Sequence, residues 1–227
     1  MSLNLFRVKI CGITSAQDAA IAASAGADAI GLNFYPKSPR YVTPEQAAVI
    51  ARDLPRGVLR VGVFVNATTT EIRRTAQAVG LNAVQIHGDE PPSMLLELAD
   101  VPTIRAFRCS LEHVPNCLRY LDECQGMGRM PDAVLIDALQ SGQYGGTGHR
   151  ADHGILEKIR KKYLKTYFVL AGGLNADNVE EAIRSELPDG VDTASGVESS
   201  PGVKSPQKVA AFVKNALAGL RDTKQRR

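Results

Sequence analysis

The chain alternates between two hydrophobic rhythms. Short continuous apolar or β-branched runs occur at Phe6–Ile10, Ala29–Phe34, Leu59–Val65, Ala83–Ile86, Thr103–Phe107, Ala133–Ile136, Tyr167–Leu170 and Val191–Thr193. Runs of this length and composition read as parallel strands buried on both faces. Between them, apolar residues return every three or four positions, the period of an amphipathic helix. These segments are Ser15–Ala25, Pro44–Leu54, Thr70–Val79, Pro91–Leu98, Asp152–Lys162, Asn175–Glu186 and Pro206–Leu220, with Ser15, Thr43 and Asn175 as N-caps.

Eight strands in 227 residues give a repeat of about 28 residues, the size of a βαβ unit. Eight such units close into a (β/α)8 TIM barrel, whereas an open doubly wound sheet more often has fewer strands. No linker rich in Gly, Pro or Ser splits the alternation. Residues 1–220 are therefore expected to form one parallel, eight-stranded barrel domain.

Composition narrows the class without changing the fold. Hydrophobic residues make up 44% and charged residues 22%, as in ordinary globular domains. No apolar run approaches the ~20 residues that span a bilayer, and Met1 to Arg7 lacks the apolar stretch of a signal peptide. A cytoplasmic protein without membrane contact is expected. The net charge of +3 sits in residues 221–227, where Arg221, Lys224, Arg226 and Arg227 face only Asp222. The rest is neutral, so the basic pI reflects a short, fraying tail rather than a nucleic-acid-binding stripe.

Cys109, His113, Cys117 and Cys124 fall in one segment, but their spacing fits no common zinc pattern and Pro115 interrupts it. Leu111, Val114, Leu118 and Leu121 instead suggest the apolar face of a packed helix.

In a barrel of this kind chemistry collects at the C-terminal ends of the strands, and the unusual residues obey that rule. Cys11-Gly12 follows strand 1, Lys37 to Tyr41 follows strand 2, His87-Gly88-Asp89 follows strand 4 and Asp137 ends strand 6. Gly145–Gly148, Gly172-Gly173 and Ser195-Gly196 follow strands 6, 7 and 8. Two Gly-rich loops on consecutive late strands form an expected phosphate cradle, because glycine lets backbone amides approach an anion. Cys11 and Asp137 would face one mouth from opposite sides. A thiolate can take a proton from carbon and a carboxylic acid can give one to oxygen, although a basic thiol needs a nearby cation or amide.

Taken together, Val8–Thr14, Ala25–Gly31, Lys37–Val42, Val61–Asn66, Val84–Glu90, Gly145–Gly148, Leu170–Leu174 and Asp192–Glu198 closely resemble the phosphoribosylanthranilate isomerase family of tryptophan biosynthesis. The resemblance runs through nearly the whole chain in order. It implies an Amadori rearrangement of N-(5′-phosphoribosyl)anthranilate, with no metal or organic cofactor, in a monomer or homodimer. Carried over by motif, Asp137 is the general acid and Cys11 the general base. Arg40 is expected to pair with the anthranilate carboxylate, and Gly172, Gly173, Ser195 and Gly196 to hold the phosphate, with Asp192 bracing that loop. His87 lies near the mouth as a substrate-binding residue. His149 and His153 depart from the family, which usually has a cation and an aromatic there. A related isomerase of histidine biosynthesis uses Asp where this chain has Cys11 and needs a second phosphate site, for which no second Gly-rich pair is present in the first half of the chain.

Overall fold

A computed structural model describes residues 5–138 and 154–224. Strands β1 (Val8–Ile10), β2 (Ala29–Asn33), β3 (Leu59–Phe64), β4 (Ala83–Ile86), β5 (Thr103–Cys109), β6 (Ala133–Ala138), β7 (Tyr167–Ala171) and β8 (Gly190–Thr193) follow one another around a closed barrel. Every neighbouring pair is parallel, and β1 returns to β8 with Lys9 opposite Asp192. This is the (β/α)8 architecture expected from the alternation.

Helices α1 (Ala16–Ser24), α2 (Pro44–Arg52), α3 (Thr69–Val79), α4 (Met94–Glu97), α5 (Val114–Gly126), α6 (Ile155–Arg160), α7 (Val179–Glu186) and α8 (Pro206–Lys224) surround the strands. Ser15 caps α1 by accepting from the Asp18 N–H, and Thr43 caps α2 in a reciprocal capping box with Gln46. Among the described residues no helix is long and apolar enough to cross a membrane.

The departures from expectation are local, and most have a hydrogen-bonding cause. β1 starts at Val8 rather than Phe6, because the N–H groups of Arg7 and Val8 both donate to the Asp28 carboxylate. Leu5 and Phe6 instead close the floor of the barrel. The Asn175 side chain accepts from Asp177 and Asn178 N–H in a turn, which delays α7 to Val179. Pro91 and Pro92 hold back the start of α4 to Met94. Pro115 does not interrupt its segment; it sits in the first turn of α5, where a missing N–H costs nothing. α8 runs to Lys224, four residues past the point where fraying was expected, with the Arg221 Nε–H donating to the Leu217 carbonyl.

Strand side chains alternate between two layers, and that alternation creates the site. Val8, Ile10, Ile30, Val134, Ile136, Leu170 and Val191 face outward and pack against the helices. Ala29, Val61, Ala83, Ile104, Ala133, Leu135 and Val169 face inward and fill the lower barrel. Two residues along, on part of the barrel, the interior changes character. Above Ala83 comes Gln85, above Leu135 comes Asp137, and on β1 and β8 the inward positions are Lys9 and Asp192.

Candidate active site

The upper layer is anchored by a lysine with no exposed surface. Lys9 Nζ donates to Asp192 Oδ1 at 3.0 Å and to Gln85 Oε1 at 3.2 Å. Buried charge of this kind is tolerated only when paired and hydrogen-bonded. Burial alone would depress the ammonium, but Asp192 and the nearby Cys11 sulfur reverse the sign, so Lys9 is held above its ordinary value.

Cys11 follows β1 directly, and its N–H donates to the Thr193 carbonyl at 2.8 Å. Its side chain is partly exposed to the mouth and lies two positions from Lys9 on the same inward face. Burial pushes the thiol above its usual value; the charge of Lys9 opposes this, outweighing the contrary effect of Asp192, and Lys204 acts with Lys9. Space for the sulfur comes from the neighbouring strand, where a Cβ built on Gly31 would lie 2.6 Å from Cys11 Sγ. Gly31 is a glycine because the thiol occupies its side-chain volume.

Beside the thiol stands a second set of charges. Arg40 gives Nε–H and Nη2–H to the two carboxylate oxygens of Glu198, at 2.7 and 2.6 Å. A short hairpin of β9 (Glu198–Ser200) and β10 (Val203–Lys204) brings Lys204 Nζ to the same carboxylate at 2.8 Å. Burial pushes Glu198 up, but hydrogen bonds from Arg40 and Lys204 more than offset it and hold the carboxyl below its ordinary value. Gly12, at φ +72°, leaves room for Arg40, whose Cδ would be 2.3 Å from a Cβ there. The guanidinium expected to meet a substrate carboxylate is thus already engaged along one edge. Its Nη1 makes no hydrogen bond to a described residue, so the outer edge of the fork stays open.

Across the mouth, His87 follows β4 and Asp137 lies in β6. Gln85 Nε2 meets His87 Nδ1 at 3.2 Å, and His87 Nε2 faces Asp137 Oδ2 at 3.5 Å, slightly beyond a normal hydrogen bond. The Asp137 side chain is 33% exposed. The loop carrying His87 is clamped from outside the barrel: Arg105 donates to Glu90 and to the Ile86 and Gly88 carbonyls, while Glu90 accepts from the N–H groups of Asn66 and Gly88.

The late Gly-rich loops lie against each other. Gly172 and Gly173 have φ of 94° and 64°, a conformation that side chains resist. A Cβ on Gly196 would fall 1.9 Å from the Leu174 carbonyl oxygen, and the Thr193 hydroxyl donates to that same carbonyl at 2.6 Å. Thr193, not Asp192, therefore ties the two loops together; Asp192 is one layer lower, paired with Lys9. Ser195 opens the short helical turn that carries Gly196.

The structure thus brings Cys11, Arg40, His87, Asp137, Gly172, Gly173, Asp192, Ser195 and Gly196 to the C-terminal end of one barrel. Sequence reading missed Lys9, Gln85, Glu198 and Lys204. A lysine between two core residues of a three-residue strand was the available signal. Gly145–Gly148, His149 and His153 lie outside the described residues. In the cysteine segment, Cys109 and Cys117 sulfurs touch at 3.5 Å within the core and His113 bonds Ser110. No group of three metal-ligating side chains forms among the described residues.

Comparison with known proteins agrees over the full barrel. Residues 8–215 match the family described as N-(5′-phosphoribosyl)anthranilate (PRA) isomerase. The N-(5′-phosphoribosyl)anthranilate isomerase of Myxococcus xanthus is 45% identical over 211 residues, covering 92% of this chain and 95% of the relative. The crystal structure of phosphoribosyl anthranilate isomerase from Thermotoga maritima superposes with a TM-score of 0.81 at 40% identity, covering 94% of this chain and all of that one. A second phosphoribosyl anthranilate isomerase structure, in complex with reduced 1-(o-carboxyphenylamino)-1-deoxyribulose 5-phosphate, matches with a TM-score of 0.78 at 38% identity over 94% of this chain and 100% of that one.

Proposed function

The chain belongs to the N-(5′-phosphoribosyl)anthranilate isomerase family and catalyses that isomerisation in tryptophan biosynthesis, and we propose that Cys11 and Asp137 carry its proton transfers as base and acid. The observation supporting this assignment is their placement: both face inward at the mouth, from β1 and β6, with the β7 and β8 loops between them.

The reaction begins with a ribose ring closed through its ring oxygen. Asp137 donates a proton to that oxygen as the C1′–O bond breaks, and the anthranilate nitrogen lone pair forms the C1′=N bond of a Schiff base. Cys11 then removes the C2′ proton; the electron pair forms C1′=C2′ and neutralises the iminium nitrogen, giving an enolamine. Tautomerisation moves a proton from the C2′ hydroxyl to C1′ and yields the ketone. Asp137 has given one proton and Cys11 has taken one, so re-equilibration through the open mouth restores both groups.

The remaining residues bind the two anionic ends of the substrate. The amides around Gly172, Gly173, Ser195 and Gly196 receive the phosphate, a task for which the backbone N–H groups of glycine-rich loops are suited. Arg40 meets the anthranilate carboxylate with the guanidinium edge that Glu198 leaves open, a planar donor for a planar acceptor. His87 lines the mouth against Asp137. Residues 1–220 act as one catalytic domain, as monomer or homodimer in the cytoplasm.

The test is direct. Purified protein should consume N-(5′-phosphoribosyl)anthranilate without added metal, followed as decay of anthranilate fluorescence. Cys11→Ala and Asp137→Asn should each lose activity with circular dichroism unchanged; full activity in either variant removes its role.

A further inference from the structure

Lys9 is the one cation in the described barrel interior that touches both halves of the mouth. It has no exposure; its ammonium donates to Asp192 on β8 and to Gln85 on β4, and Cys11, two positions further along the same inward face, feels its charge. An ammonium can only donate. Gln85 must therefore turn its Oε1 toward Lys9, which leaves Nε2 facing His87 Nδ1. An amide nitrogen also only donates, so Nδ1 must be the acceptor and the imidazole proton sits on Nε2. That nitrogen is the one aimed at Asp137 Oδ2. The donor directions run without conflict from Lys9 to the carboxyl.

We propose that Lys9, held in place by Asp192, is a positioning residue for both ends of the reaction. It lends its charge to the Cys11 sulfur and, through Gln85, fixes His87 in the tautomer that presents Nε2–H to Asp137. At 3.5 Å the Nε2–H is turned toward Oδ2 without yet bonding it, and closing that gap would leave the transferable proton on Oδ1. The proposal rests on the reading of Cys11 as base and Asp137 as acid. A thiolate formed in a partly buried mouth needs a nearby cation, and the charged groups acting on this sulfur are Lys9, Asp192 and Lys204, with Arg40 and Glu198 beside them.

Two measurements test it without turnover, so that loss of the acid/base reading and loss of this proposal are distinguishable. The first is the rate at which iodoacetamide alkylates Cys11 at pH 8, read by mass spectrometry of its peptide, with buried Cys109, Cys117 and Cys124 as internal controls. Below the thiol pKa this rate follows the thiolate fraction. Lys9→Met should slow it at least about tenfold, one unit of pKa or more. Asp192→Asn, which breaks the same ion pair from the other side, should speed it. A merely structural pair would loosen the site in both variants and move both rates the same way; that result, or an unchanged rate in Lys9→Met, overturns the proposal.

The second measurement leaves Lys9 and Asp192 unchanged. The imidazole ¹⁵N shifts of His87, identified by the signal lost in His87→Asn, should show the Nε2–H tautomer in the unmodified protein. Gln85→Glu, which cannot donate to Nδ1, should abolish that pattern. An Nδ1–H tautomer in the unmodified protein, or a Gln85→Glu spectrum that keeps the original one, overturns it.

Discussion

Around Cys11 the cations Lys9, Arg40 and Lys204 all have carboxylate partners within 3.0 Å. Around Asp137 the carboxyl is a third exposed and the nearest imidazole nitrogen stands at 3.5 Å. The difference follows from what each side must do. A thiol that acts as base must already be an anionic thiolate before it takes the proton, so compensating charges have to be in place and oriented beforehand. A carboxyl that acts as acid starts neutral and ends charged, so it needs no counter-charge assembled before the reaction. Among the described residues the base side is therefore pre-assembled and tightly filled, while the acid side is open.

The largest effects should appear where either group is removed outright. Cys11→Ala and Asp137→Asn are expected to lower kcat by 10²–10⁴-fold or more, the range for a positioned acid or base, measured by fluorescence decay. Next comes a substitution that keeps the thiol but moves it. Gly31→Ala places a methyl 2.6 Å from Cys11 Sγ and 3.1 Å from its Cα, and the filled surroundings leave the sulfur little room. A shift of about 1 Å in a catalytic group costs on the order of 10²-fold. Unchanged kcat in a folded Gly31→Ala protein would show the base side to be as yielding as the acid side.

The same contrast explains what was legible in the sequence. Cys11, His87, Asp137 and the glycines of the late loops follow from the βα rhythm, because strand order alone puts strand ends at one mouth. The partners that tune them do not follow. Lys9 and Asp192 are 183 positions apart, Lys9 and Gln85 are 76 apart, and Arg40 and Glu198 are 158 apart. Only barrel closure and the register of β1 on β8 bring them together. Arg40 was found by motif, but its engagement by Glu198 depends on a hairpin that no strand pattern announced. The role of Gly31 was equally hidden, since a strand glycine reads as a weak point until the sulfur beside it is seen.

Arg40→Ala should raise KM about 10- to 100-fold with a smaller change in kcat, since a carboxylate contact remote from the proton transfers contributes uniform binding. The two-sided use of the guanidinium adds a control: Arg40→Lys keeps the charge but cannot serve Glu198 and a second carboxylate in one plane, so it should recover little. An Arg40→Ala variant with unchanged KM would remove the assignment. On the open side, His87→Ala should lower kcat by roughly tenfold or less, because it orients an acid that remains in place. A loss as large as that of Gly31→Ala would mean that the acid side is as pre-assembled as the base side.

The smallest effect concerns stability and isolates the Glu198 cluster. Burial disfavours the Glu198 carboxylate, but Arg40 and Lys204 hold it below its ordinary value of 4.5 in the folded chain. A group whose folded pKa is depressed contributes stability that is fully present above its unfolded value and is lost as pH falls through the folded one. The folded state should therefore weaken as pH drops below about 4.5, by on the order of 1 kcal/mol for this cluster. Urea denaturation at a series of pH values measures it. Glu198→Gln should be less stable than the parent at pH 7, because buried Lys204 and partly buried Arg40 lose their counter-charge, yet its stability should depend less on pH in the acid range. Parallel curves for parent and variant would mean that the arginine and lysine do not discriminate between carboxylate and carboxyl, and that the pre-assembled side owes its order to packing alone.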